Sequence, residues 1–105
     1  LSRVDRVIED RIVHPKEGSY TNYLLDSGID KVLKKLGEET TEVVIAAKNE
    51  DQANLRGEVV DLLYHLLVLL RVRNLPLSEV WKELDARFGR VPRTRSTTLR
   101  RSTDV

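Results

Sequence analysis

No cysteine occurs in this chain of 105 residues, so neither a disulfide nor a thiolate zinc site can form, and the absence fits a reducing compartment. His14 and His65 are its only imidazoles, which argues against a zinc enzyme. Aromatic residues are scarce at 5%, leaving Leu, Val and Ile to build the core. The chain has no Gly-rich phosphate loop, no G-x-S-x-G elbow and no Cys/His pair, which removes the commonest other hydrolase designs. Its longest apolar run is too short and too interrupted to span a bilayer. No N-terminal stretch joins a basic start to an apolar segment and a small-residue cleavage site. A cytoplasmic protein without membrane contact is expected.

What is present is an ordinary globular composition, 40% apolar and 33% charged, at a length that suits one domain. The net charge of +1 conceals an asymmetry. Residues 90–105 carry +4 (five Arg against one Asp), which leaves the first 89 residues at −3. The expected division is therefore an all-α domain over 1–89 and a basic, disordered tail over 90–105. Such a tail could touch phosphates, but the body is acidic and has no base-reading motif, so nucleic acid is not expected as a partner.

Caps and periodicity mark four helices, and no strand. The first opens near Ser2, where Ser2 and Asp5 form a capping-box pattern and Val4, Val7, Ile8 and Ile12 share a stripe; it ends before Pro15. Residues 14–28 read as a loop with at most one turn around Asn22 to Leu25. Ser27 and Asp30 suggest a second capping box, opening a helix over 29–48 with Val32, Leu33, Leu36, Val43, Val44 and Ala47 inside. The stretch NEDQAN supplies caps for a third helix over 52–73, stopped by Pro76. Ser78 is placed as the cap of the fourth, which runs to Phe88 with Val80, Trp81, Leu84 and Phe88 buried. Between Val59 and Val72 nearly every residue is apolar. One small domain cannot cover such a helix on all sides, so a four-helix bundle-like subunit that assembles as a homodimer through long apolar helices is expected.

Chemistry enters with five carboxylates in two clusters: Glu38, Glu39 and Glu42 in KKLGEETTEVV, and Glu58 and Asp61 in GEVVDLLYHLL. The pairs 38/42, 39/42 and 58/61 are three or four residues apart, so each cluster projects from one helix face. Glutamates at this spacing most often form a solvated face. Glu58 and Asp61, however, border an apolar run in which an ionised carboxylate is costly unless paired, hydrated or metal-bound. If the two faces meet, each like-charged pair at about 5 Å repels by roughly 3 kcal/mol at an effective dielectric near 20, which calls for a cation or a raised pKa. Oxygen ligands alone favour a hard ion such as Mg²⁺, with Mn²⁺ as a substitute.

EExxE followed after a spacer by ExxD resembles the signature of the all-α, MazG-like nucleoside triphosphate pyrophosphohydrolases. More narrowly, GSYTNYLLDSGIDKVLKKLGEETTEVVIAAKN with EVVDLLYHLLVLL is similar to the phosphoribosyl-ATP pyrophosphohydrolase family of histidine biosynthesis, over residues 4 to 88. The resemblance implies Mg²⁺-dependent hydrolysis of the α,β phosphoanhydride of phosphoribosyl-ATP to phosphoribosyl-AMP and pyrophosphate, the second step of that pathway. The broader superfamily leaves a house-cleaning nucleoside triphosphate pyrophosphohydrolase as the alternative. It also implies Glu39, Glu42, Glu58 and Asp61 as metal ligands. Glu38 is then the candidate base or outer-sphere ligand, and spacing does not decide which of Glu38 and Glu39 faces the metal. The Arg/Thr-rich tail departs from the family's usual ending, so no role carries over to it.

A nucleotide substrate also needs cations and hydroxyls. Lys34 and Lys35 lie one turn before the first acid cluster and could meet phosphates, although exposed lysines at this spacing often only pair with glutamates. Ser19, Tyr20 and Thr21 precede the catalytic helix and could bind phosphate or ribose, the competing role being to cap their own turn. Arg11 is a further candidate. His65, one turn after Asp61, is read as a hydrogen-bonded core histidine ahead of a proton relay, and Trp81 as core.

Overall fold

The computed structural model describes residues 1–89, and the expectation for the tail lies outside them. The described residues are all-helical, with five helices: α1 (Ser2–Val13), α2 (Tyr20–Ser27), α3 (Ile29–Lys48), α4 (Gln52–Val72) and α5 (Leu77–Phe88). The chain divides into two compact units, Leu1–Leu75 with α1 to α4, and the segment from Pro76 with α5. The fifth helix corrects the four expected: α2 occupies what reads as loop. Its cap is Ser19, whose side chain accepts from the Asn22 N–H. Asn22 then ties the preceding loop down, accepting from the Lys16 N–H at 2.8 Å and donating to the Arg11 carbonyl at 2.9 Å.

Three anticipated caps are not caps. Ser2 is already inside α1, Ser78 lies inside α5, and Ser27 donates its hydroxyl back to the Tyr23 carbonyl at 2.6 Å. Gly28 replaces Ser27 as the residue between α2 and α3, at φ 94°, a left-handed conformation in which a side chain would be strained. Asp51 does cap α4, accepting from the Asn54 N–H at 3.1 Å. α4 ends in a Schellman motif: Asn74 sits at φ 60°, and the Leu75 N–H reaches the Leu70 carbonyl at 2.8 Å, just before Pro76.

The link from Asn49 to Asp51 is short enough to lay α3 and α4 antiparallel, and these two share the most extensive helix–helix face. Ile8, Leu24, Val32, Ala46, Leu67 and Val68 form the core, drawn from all four helices of the first unit. α1 is clamped to α4 by Arg71. Its Nε and Nη2 each lie 3.0 Å from a carboxylate oxygen of Asp5, and Nη1 reaches Glu9.

Several residues assigned to the interior are exposed in the chain: Val4, Val7 and Ile12 on α1, Leu33, Val44 and Ala47 on α3, and Trp81, Leu84 and Phe88 on α5. These side chains are left uncovered among the described residues. Val44, Ile45 and Val60 are 58%, 54% and 58% exposed, and Val59, Leu63 and Leu66 join them in an uncovered apolar stripe on α3 and α4.

Candidate active site

The two acid clusters meet because the short α3–α4 turn sets the middle of α3 beside the first half of α4. One carboxylate oxygen from each of Glu39, Glu58 and Asp61 lies within 4.8 Å of the other two. Glu58 sits partly buried at the centre of this negative field. Desolvation first, then the charges of Glu42, Glu39 and Asp61, push its pKa above the ordinary glutamate value. Glu42 thus belongs to the same field, although its oxygens are not among the three that converge.

The geometry separates the two adjacent glutamates. Glu39 turns toward α4, whereas Glu38 is exposed and pairs with Lys35 at 3.5 Å. Lys35 stands near Tyr20, and that phenol, followed by Glu38, holds the ammonium's pKa above the usual lysine value. Lys34 is exposed. Lys31 lies 5.7 Å from the centre of the Tyr23 ring and lowers that phenol's pKa, chiefly through a side-chain hydrogen bond.

α2 brings the hydroxyl residues to the same neighbourhood. Tyr20 is 45% exposed. Its pKa is raised by burial, while Lys35 pulls it down and Tyr64 and Glu39 push it further up. Its hydroxyl meets His65 Nε2 at 2.9 Å. Thr21 is buried, with its hydroxyl against that of Tyr64. Ser19 serves as the α2 cap, and Arg11 holds Asp10 at 3.0 Å. Gly18, Ser19, Tyr20, Tyr23 and Asp26 contribute to an open depression along the outer edge of α2.

Tyr64 and Tyr23, which sequence reading did not single out, extend this surface. Their rings stack on Tyr20 with centroids 6.1 and 6.0 Å away. The only signal in the sequence was the clustering of tyrosines in SYTNY and LYH, which gives no cross-helix pairing.

Residues 1–88 match the family model described as phosphoribosyl-ATP pyrophosphohydrolase. A phosphoribosyl-ATP pyrophosphatase of Listeria monocytogenes serotype 4b (strain CLIP80459) is 60% identical over 88 residues, covering 84% of each chain. One from Clostridium acetobutylicum is 55% identical over 91 residues, covering 87% of this chain and 83% of the relative. A histidine biosynthesis bifunctional protein of Thermoanaerobacter pseudethanolicus is 53% identical over 83 residues, 79% of this chain but 38% of that longer protein.

Proposed function

The chain belongs to the phosphoribosyl-ATP pyrophosphohydrolase family, and from that premise we propose that it hydrolyses the α,β phosphoanhydride of phosphoribosyl-ATP, releasing phosphoribosyl-AMP and pyrophosphate. The observation that carries this reading is the convergence of Glu39, Glu58 and Asp61 within 4.8 Å, with Lys35 and Tyr20 close to Glu39. Phosphoanhydride hydrolysis asks a protein mainly for positioning and charge neutralisation.

The donor set fits a hard divalent cation, being carboxylate oxygens only, at a spacing one ion can bridge. Glu39, Glu58 and Asp61 would hold Mg²⁺ directly, with Glu42 as a fourth ligand or as a charge behind them. Mg²⁺ there supplies neutralisation of phosphate charge and acidification of a bound water. The chain's own groups do the rest. Glu38, next to Glu39 in the chain and paired with Lys35, accepts the proton of the attacking water. Lys35 offers an ammonium to the phosphates as a point charge, and Lys34 adds long-range attraction. Ser19, Arg11 and Thr21 support α2 and the loop before it, which present Tyr20.

The same proposal includes a homodimer, supported by the stripe of Val44, Ile45, Val59, Val60, Leu63 and Leu66 that one subunit leaves uncovered. It assigns catalysis to residues 1–89 and leaves the tail dispensable. Among the described residues no helix is long and apolar enough to cross a membrane; a cytoplasmic place of action rests on the family alone.

Pyrophosphate release from phosphoribosyl-ATP, ATP and a panel of nucleoside triphosphates, each with Mg²⁺, tests the reading. Phosphoribosyl-ATP should be turned over with the highest kcat/KM by orders of magnitude. Preference for an ordinary triphosphate would move the chain to the broader superfamily's housekeeping chemistry.

A further inference from the structure

His65 is 5% exposed, and both of its ring nitrogens are engaged. Nδ1 lies 2.7 Å from the carbonyl oxygen of Asp61, one turn earlier on α4. A carbonyl can only accept, so Nδ1 carries the hydrogen. In the neutral ring Nε2 is then a bare lone pair, and the Tyr20 hydroxyl 2.9 Å away donates to it. One residue on along α2 and one residue back along α4, the Thr21 and Tyr64 hydroxyls meet. Two successive bonds therefore set α2 against α4 in a single register.

Packing alone does not require this. His65 stands among leucines in YHLLVLL, and a leucine there would bury without desolvating two ring nitrogens. What the polar pair adds is a fixed orientation, since a satisfied buried network tolerates little else. Its two ends are also informative. At one end is the backbone of Asp61, whose carboxylate converges with Glu39 and Glu58; at the other is Tyr20, still exposed and facing the field of Lys35 and Glu39.

We propose that His65 is a positioning residue for the reaction: anchored on the Asp61 carbonyl, it holds the Tyr20 phenol and so fixes the substrate-facing edge of α2 against the carboxylate-bearing turn of α4. The inference rests on the function proposed above. It also gives Tyr20 a chemical sense. With its hydrogen committed to His65, the phenol oxygen presents only lone pairs to the site. It accepts from a ribose hydroxyl or from Lys35, and it does not donate to a phosphate.

Two measurements on the full chain test this. The first is ¹⁵N NMR of the imidazoles, with His14→Asn used to assign the signals. His65 should carry its hydrogen on Nδ1, and the Nε2 resonance should move in Tyr20→Phe; a hydrogen on Nε2 would overturn the inference. The second is a kinetic cycle. Tyr20→Phe and His65→Phe should each raise KM about tenfold, as expected for one lost oriented hydrogen bond, with a smaller change in kcat. The double variant should be no worse than the worse single one, because both remove the same bond. Mn²⁺ affinity read by EPR should stay unchanged in all three. Additive losses in the double variant, or loss of Mn²⁺ binding in Tyr20→Phe, would overturn the positioning role. Should His65→Phe not fold, the wild-type tautomer and the Tyr20→Phe kinetics decide. NMR needs no turnover, so a chain inactive on phosphoribosyl-ATP would refute the proposed function while the tautomer still answers for the lock.

Discussion

Arg71 is the polar clamp between α1 and α4, and its replacement by Met should be the most destabilising surface-accessible change in the first unit. Met keeps the unbranched stem that lies against the helices and removes only the guanidinium. The loss is a bidentate pair to Asp5, both contacts at 3.0 Å, and a further contact to Glu9. The side chains of Arg71 and Asp5 are 28% and 16% exposed, so the pair stands between two regimes. Exposed bridges contribute about 0 to 1 kcal/mol, whereas removing one partner of a buried bridge costs about 3 to 5 kcal/mol. The expected cost is about 2 kcal/mol, or a Tm lower by roughly 10 °C for a domain of this size. Asp5→Asn should cost less, since the amide still accepts one hydrogen bond. The coupling between the two sites in a double-variant cycle should be about 1.5 kcal/mol. Thermal unfolding at fixed protein concentration in 50 mM and 500 mM salt is the assay. A cost under about 0.5 kcal/mol, or full loss of the coupling at the higher salt, would mean the pair behaves as an ordinary screened surface bridge, and that apolar contacts around Ile8 alone hold α1 in place.

At the acid cluster, Glu39→Gln, Glu58→Gln and Asp61→Asn should each remove at least 99% of phosphoribosyl-ATP turnover while circular dichroism stays helical; full turnover in excess chelator would contradict the site. Glu58 has a raised pKa in the folded chain, so folding favours its protonated form, and metal-free stability should fall as pH rises through the range above the ordinary glutamate value. Accordingly Glu58→Gln should melt higher than the wild type without metal at pH 7 and should lose the stabilisation by added Mg²⁺, both read by calorimetry. Val60→Glu places a charge in the uncovered apolar stripe and should convert the assembly to a 12.1 kDa monomer in sedimentation; a wild-type chain that is itself monomeric at micromolar concentration would remove the dimer.

Local signals were legible where one short segment carries the whole cause. The bounds of α3 and α4 follow from apolar periodicity, the Asp51 cap and Pro76, and the spacing within each acid cluster follows from helical geometry. That Glu39 and not Glu38 faces α4 depends on the rotation of α3 about its axis. Both residues satisfy the same i,i+3 or i,i+4 rule, so only the packed pair of helices decides between them. α2 was hidden for a related reason: its eight residues are too few to show a period, and its start depends on Ser19 and on Asn22 bonding to residues 6 and 11 positions away. Three serines looked like caps and were not, because cap propensity speaks for a residue type and leaves open which of two neighbours adopts the extended backbone.

The exposed valines expose a different limit, since a sequence records that a residue is apolar but not which chain covers it. The apolar excess of α4 is visible in the letters, and only the folded subunit shows that Val59, Val60, Leu63 and Leu66 are the ones left over. The bonds from Tyr20 to His65 and from Thr21 to Tyr64 span 45 and 43 residues and join side chains whose own segments carry no sign of the partner. Each pairing depends on Gly28, at φ 94° between α2 and α3, and on the turn at residues 49–51 that leads α3 into α4. Two turns with their own local chemistry therefore carry Tyr20 to within hydrogen-bond reach of the helix that bears Asp61. A change at Gly28 that forbids its left-handed φ should accordingly disturb Tyr20 before it disturbs the acid cluster, because the α3–α4 pair closes without it.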